Sequence, residues 1–169
     1  MKVLVAYLSS TGNTKKVAEA IYKEISADKV IKSIDDVDSI DGFDVTFLGF
    51  PVHAGGPTRK ATKFLQKHCT KDRKIALFIT HCALEDNEEI PSWLNKFRKA
   101  ANGSEIIDIF NCQGELTRVL KLFMSIAPSS QMREGVKKIN SEGQPDQTRL
   151  EKARVFSRNV MGKLTNKEN

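Results

Sequence analysis

The stretch Val3-Leu4-Val5-Ala6-Tyr7-Leu8-Ser9-Ser10-Thr11-Gly12-Asn13-Thr14 joins an unbroken apolar run to a turn of hydroxyl and amide residues around one glycine. Six apolar residues without polar alternation predict a strand buried on both faces of a parallel sheet. Downstream, Val17, Ile21 and Ile25 recur at helical spacing with Ala18 and Ala20 beside them, so a helix follows the turn directly. The turn therefore sits at a helix N-terminus, where unpaired backbone N–H groups attract an anion. A single Ser, Thr or Asn there would be an ordinary cap. Ser9, Ser10, Thr11, Asn13 and Thr14 around Gly12 exceed what a cap requires, and they read as a cradle for a cofactor phosphate built without a charged side chain. Lys15 and Lys16 read as solvated charges on the helix surface.

Two familiar phosphate loops are missing from this turn: it contains neither G-x-x-x-x-G-K-[ST] nor G-x-G-x-x-G. That disfavours a P-loop nucleotidase and a dinucleotide-binding Rossmann domain. Ser9-Ser10-Thr11-Gly12-Asn13-Thr14 instead resembles the S/T-x-T-G-x-T loop of the flavodoxins at every fixed position. The resemblance implies that the loop holds the phosphate of FMN through backbone amides and hydroxyls.

The alternation of strand and helix continues along the chain. Residues 29–34 read as a short strand before the polar Asp35-Asp36-Val37-Asp38. Residues 43–52, with Val45, Phe47, Leu48 and Phe50, form a buried strand stopped at Pro51. Residues 57–69 place Ala61, Phe64, Leu65 and His68 at i, i+3, i+4 and i+7, with Pro57 at the helix start. A fourth strand covers residues 75–80, and Ile90, Trp93, Leu94, Phe97 and Ala101 then share a helix face that ends at Gly103. On that face Trp93 is expected to be core. A fifth strand at 106–110 and a closing helix from about Thr148 complete the pattern. Strands alternating with helices predict an α/β fold, a three-layer α/β/α sandwich with a five-stranded parallel sheet. The order 2-1-3-4-5 is implied by the resemblance, since flavodoxin is itself the standard example of that order.

In such a sheet ligands collect beyond the carboxyl ends of the strands. Those ends supply Pro51, Val52, His53, Ala54, Gly55 and Gly56, then Thr80, His81, Cys82 and Ala83, then Gln113 and Gly114. The resemblance implies that the first two groups border the flavin ring, and that the glycine pair lets a peptide reorient toward the ring's N5. The chain departs from the family in one respect: neither loop offers the aromatic residue with which many flavodoxins sandwich the ring. His53 and His81 are the candidates to replace it.

The length of 169 residues suits one domain, here 1–169 with an insertion at about 115–145 before the last helix. A composition 40% hydrophobic and 28% charged is that of an ordinary globular protein. A strand at the very start argues against a signal peptide, and no apolar run is long enough to span a bilayer, so a cytoplasmic location is expected. Cys69, Cys82 and Cys112 form no C-x-x-C pair and suit a reducing compartment. His53, His81, Cys82 and Cys112 fall near one sheet edge, but His81 and Cys82 would point to opposite faces of a strand, which argues against a metal.

The net charge of +6 is uneven. Residues 1–113 hold 16 basic against 15 acidic residues, whereas residues 114–169 hold 11 against 6. Within the insertion Leu116, Val119, Leu120, Phe123 and Met124 recur as an amphipathic helix ending before Pro128, with Arg118 and Lys121 beside the stripe. Packing of this helix on the domain is expected. A sharper expectation is that it and the basic excess dock an acidic redox partner, less favourably anionic lipid. Nothing in the sequence suggests nucleic acid.

Together these readings describe an FMN-binding electron carrier shuttling between a reductase and an acceptor protein. The alternative is an NAD(P)H-dependent FMN or quinone reductase on the same fold. A receiver domain shares the topology but needs an aspartate where this chain has Pro51, and acids where it has Ser9-Ser10.

Overall fold

A computed structural model describes residues 1–130, 133, 134, 136 and 140–166. Strands β1 (Lys2–Tyr7), β2 (Asp28–Ser33), β3 (Val45–Pro51), β4 (Lys74–His81) and β5 (Glu105–Gln113) pair in parallel in the order β2-β1-β3-β4-β5. This is the expected flavodoxin-like sheet. Helices α1 (Asn13–Glu24), α2 (Arg59–His68), α3 (Ile90–Ala100), α4 (Arg118–Ser125) and α5 (Gln147–Thr165) connect or follow the strands.

Period-two alternation within strands explains why two separate cores form. Leu4, Ala6, Leu48, Phe50, Leu77 and Ile79 point to one face, against Ala61 and Leu65 of α2 and Phe97 of α3. Val3, Val5, Val45, Phe47, Ala76 and Phe78 point to the other, against Val17 and Ile21 of α1 and Ala153, Phe156 and Val160 of α5. Each large apolar side chain buried this way contributes about 1.5–3 kcal/mol. Phe47 meets Phe156 edge to face, with ring centroids 6.0 Å apart, which ties the central strand to the closing helix.

The strand that follows the bulge near Ile107 runs further than the apolar pattern implied. Continuing through Asn111, Cys112 and Gln113 beside Ile79, Thr80 and His81, β5 carries its end up to the level of β4. The second helix starts later than Pro57 suggested. Thr58 is its N-cap, accepting from the Ala61 N–H at 3.1 Å, and a side-chain cap of that kind fixes the start one residue after the cap. Of the 115–145 insertion, residues 131, 132, 135 and 137–139 lie outside the described residues. No described helix is long and apolar enough to cross a membrane.

The tightest place in the sheet is where Gly49 of β3 lies beside Phe78 of β4, because a Cβ on Gly49 would overlap the Phe78 ring. Gly49→Ala is expected to cost about 1–3 kcal/mol or more through overpacking. Gly162→Ala, on α5 with open space around it, should instead stabilise by up to about 1 kcal/mol. Urea denaturation of both variants, read as shifts in midpoint at unchanged slope, checks the pair.

Candidate functional site

A cavity of about 370 Å³ opens at the carboxyl ends of β1, β3, β4 and β5. Because both sheet faces are covered by helices, this edge is where backbone and polar groups remain free to meet a ligand. A larger open hollow of about 700 Å³ runs along α5, with Phe110 of β5 beside Val155 and Phe156, and it shares no lining residue with this cavity.

The turn after β1 divides its work. Ser10, Thr11 and Asn13 line the cavity. Ser9 does not: its hydroxyl accepts from the Gly12 N–H at 3.1 Å and shapes the turn. Gly12 is the N-cap of α1 with φ 89°, and no side chain caps this helix, so the first N–H groups of α1 are left to whatever the turn holds. Thr14 is buried, and its hydroxyl pairs with that of Thr80 at 2.8 Å, fastening the turn to the end of β4. Asn13 is committed elsewhere too. Its Nδ2 donates to the Glu115 carbonyl at 2.8 Å, and a Cβ on Gly114 would come as close as 2.8 Å to that side chain. Gly114 therefore has to be glycine for Asn13 to reach past it.

From β3 come Pro51, Val52 and His53, all lining the cavity, with His53 exposed. Ala54, Gly55 and Gly56 turn away. His53 and Gly56 exchange backbone hydrogen bonds of 2.8 and 3.2 Å around Ala54 and Gly55, whose φ values are 48° and 74°. That sign pattern is the tight turn for which glycine is suited, and Ala54 adopts it at a cost. The turn rests on α3. Lys96 Nζ donates to the Gly55 carbonyl at 2.9 Å, and Trp93 Nε1 lies 3.1 Å from where a Gly55 Cβ would be. Trp93 is thus corrected from core to loop support. It sits in the first turn of α3, half-buried between the Gly55 turn and the His81 ring, while Phe97 one turn later is fully buried.

From β4, Thr80, His81 and Cys82 line the cavity and Ala83 stands behind it. His81 is buried, with Nδ1 3.1 Å from the Ala83 carbonyl and Nε2 3.0 Å from the Asn111 side-chain amide. Burial pushes its pKa down. Both facing atoms, the Ala83 carbonyl and Asn111 Oδ1, are acceptors, and a neutral ring carries one N–H, so it donates to one of them at a time. The His81 ring also meets the Trp93 ring edge to face, with centroids 6.2 Å apart. Burial likewise pushes the Cys82 thiol up, keeping it protonated near neutral pH. Among the described residues no cluster of His, Cys, Asp and Glu could hold a metal.

The last wall comes from the segment after β5. Gly114 N–H donates to the His81 carbonyl at 2.7 Å, while Gln113 is buried with its amide 3.4 Å from the Cys82 carbonyl. Leu116, Thr117 and Leu120 then close the cavity, with Leu116 N–H held by the Ser141 hydroxyl at 2.9 Å. Expected packing of α4 on the domain is overturned. Val119, Leu122, Phe123 and Ile126 are 66–80% exposed, and α4 has no buried residue. Its stripe predicted a helix correctly, but of that stripe only Leu116 and Leu120 line the cavity, Met124 is half-buried, and Val119 and Phe123 face outward.

Leu8, Thr58 and Lys60 also line the cavity, although sequence reasoning assigned them no role. Thr58 carried a signal, as a capping residue between Pro57 and a helix. Lys60 is ion-paired with Asp35. The chemistry assembled is a cluster of hydroxyls and free N–H groups at one end and aliphatic walls of Leu8, Val52, Leu116 and Leu120 beyond it, with no Phe, Tyr or Trp lining it among the described residues.

Comparison with known proteins agrees with this geometry. A flavodoxin domain model matches residues 4–158. The flavodoxin-like domain-containing protein BilS of Clostridioides difficile is 33% identical over 176 aligned positions, covering 98% of this chain and 99% of the relative. Among solved structures, oxidised flavodoxin 2 from Bacillus cereus superposes with a TM-score of 0.63 at 20% identity, covering 96% of this chain and 99% of that one. A flavoprotein from Lactobacillus acidophilus, solved in complex with FMN, gives 0.54 at 23% identity over 65% of this chain and 92% of that one. With its sheet order, its uncapped hydroxyl turn and this match over nearly its whole length, the chain belongs to the flavodoxin domain family.

Proposed function

We propose that residues 1–169 act as one FMN-binding electron carrier, taking electrons from a reductase and delivering them to an acceptor protein. One observation carries the reading: the uncapped N-terminus of α1, with Ser10 and Thr11 beside it, opens into the same cavity as the aliphatic walls. A donor set of neutral hydroxyls and helix N–H groups fits a phosphate. Walls of Leu8, Val52, Leu116 and Leu120 in a cavity of about 370 Å³ suit a flat heterocycle.

In this assignment Ser10, Thr11 and the N–H groups of α1 hold the phosphate, and Gly12 keeps the turn open. Asn13 lines the cavity while its amide ties the turn to Glu115, and Ser9 and Thr14 fix the turn's shape from behind. Pro51, Val52 and His53 flank one side of the ring, with Ala54, Gly55 and Gly56 setting their position. Thr80, His81, Cys82, Ala83, Gln113 and Gly114 frame the far edge. When bound, FMN supplies the redox chemistry, accepting and releasing one or two electrons with their protons. The protein's part is to orient and exclude water. The alternative reading is an NAD(P)H-dependent FMN or quinone reductase on the same fold. A cytoplasmic location belongs to the same reading, supported by three unpaired cysteines. So does docking of redox partners on the basic C-terminal third, of which Lys137, Lys138 and Lys167 lie outside the described residues.

Thr11→Ala and Ser10→Ala should each weaken FMN binding roughly 10- to 150-fold, the value of about 1.5–3 kcal/mol for a hydrogen bond to a charged group. Riboflavin, which lacks the phosphate, should bind both variants as it binds the parent. Quenching of flavin fluorescence by the apoprotein measures both ligands, and equal losses for the two would move the phosphate elsewhere. Mixing the FMN-loaded protein with NADPH under anaerobic conditions separates carrier from reductase. The visible flavin absorbance should persist for minutes and fall only when a reductase is added, whereas rapid bleaching would select the enzyme.

A further inference from the structure

The outer face of α4 is the unexplained surface of this molecule. Val119, Leu122 and Phe123 of α4 and Ile126 at its C-cap stand 66–80% exposed, while Leu120 lines the cavity and Met124 is half-buried. Isolated exposed apolar residues need no explanation, but four on one short helix and its cap form a patch. Residues 116–133 contain Arg118, Lys121 and Arg133 and no acidic residue. The patch is continuous with the cavity wall, because Leu116, Thr117 and Leu120 belong to the same segment.

We infer that this face docks a redox protein whose contact surface has an apolar centre and carboxylates placed to meet Arg118 and Lys121. The inference rests on the carrier reading and names the partner's chemistry. Electron transfer requires the partner to approach the rim of the cofactor cavity, and α4 is that rim. A flat anionic bilayer fits less well. Recognition of anionic lipid by charge takes a cluster of about 4–8 Lys or Arg, and residues 116–133 hold only Arg118, Lys121 and Arg133. A protein surface can instead place single carboxylates opposite Arg118 and Lys121.

The test uses the FMN-loaded full chain with two probes of opposite charge: a reduced, acidic plant-type [2Fe–2S] ferredoxin and oxidised, basic cytochrome c. Each ferredoxin gives up one electron from its reduced cluster, a strong one-electron donor, to the oxidised flavin. In the second reaction the dithionite-reduced carrier, freed of excess reductant, gives one electron to each cytochrome haem. Stopped-flow rates should fall about tenfold or more for the ferredoxin in Leu122→Ser/Phe123→Ser and in Arg118→Glu/Lys121→Glu. The ferredoxin rate should also fall as salt rises from about 0.05 to 0.5 M. Charge reversal should raise the cytochrome rate. Flavin content and spectrum should be unchanged, since these four side chains do not line the cavity. Retained flavin with ferredoxin rates indifferent to both pairs of substitutions overturns the docking surface alone. A sedimenting dimer that Leu122→Ser/Phe123→Ser dissolves would assign the face to a second copy and overturn it. Flotation with phosphatidylserine vesicles, lost in the same variant, would assign it to lipid and overturn it. Failure to take up FMN at all would overturn the carrier reading as well, and is seen first, in the absorbance.

Discussion

Every central strand of this sheet is packed on both faces, so the chain can change direction and leave polar groups free only at the strand ends. That constraint places the turns after β1, β3, β4 and β5 together along one edge. It also explains why the site is built from backbone and short side chains. A long charged residue inside the sheet would have to be desolvated, whereas hydroxyls and N–H groups at a helix start reach the edge without crossing the core.

The edge is then tied into one unit by hydrogen bonds that cross between neighbouring turns. Leu8 N–H reaches the Gly49 carbonyl at 2.9 Å, Val52 N–H the Thr80 carbonyl at 2.7 Å, and Gly114 N–H the His81 carbonyl at 2.7 Å. Thr14 and Thr80 join hydroxyls below them, and Asn13 reaches Glu115. Each such bond is worth about 1 kcal/mol net, yet their combined effect is positional. They fix the turn after β1 relative to the walls, and preorganised donors bind without first giving up their own freedom.

What could be read from the sequence follows from which interactions are local. Strands announced themselves because a run such as Val3 to Leu8 or Ile75 to Thr80 has no other comfortable environment, and α1 because Val17 and Ile21 repeat at 3.6. The hydroxyl turn was legible because all its residues are adjacent. Asn13 and Thr14 were assigned to the cradle for that same reason, whereas their partners stand 102 and 66 residues away and left no local trace. Trp93 and α4 illustrate a second limit. Helical periodicity identifies an apolar face without saying what lies opposite it, so Trp93, one turn before Phe97, reads as core although it stands against the loop at Gly55. The stripe on α4 likewise named a helix and not its neighbour.

The missing aromatics and the exposed helix belong to one argument. Leu8, Val52, Leu116 and Leu120 can bury a ring's area, but they forgo the stacking worth about 0.5–1.5 kcal/mol that an aromatic partner adds. Under the flavin reading the grip therefore shifts toward the phosphate turn and toward a wall whose inner side is Leu116 and Leu120. That wall is held from behind by Asn13 and Ser141 and carries on its outer side the uncovered Val119, Leu122, Phe123 and Ile126. A helix with no buried residue of its own takes little stability from the core. A partner docked there as proposed would steady the inner face by covering the outer one, coupling cofactor retention to partner contact through the same two turns of helix.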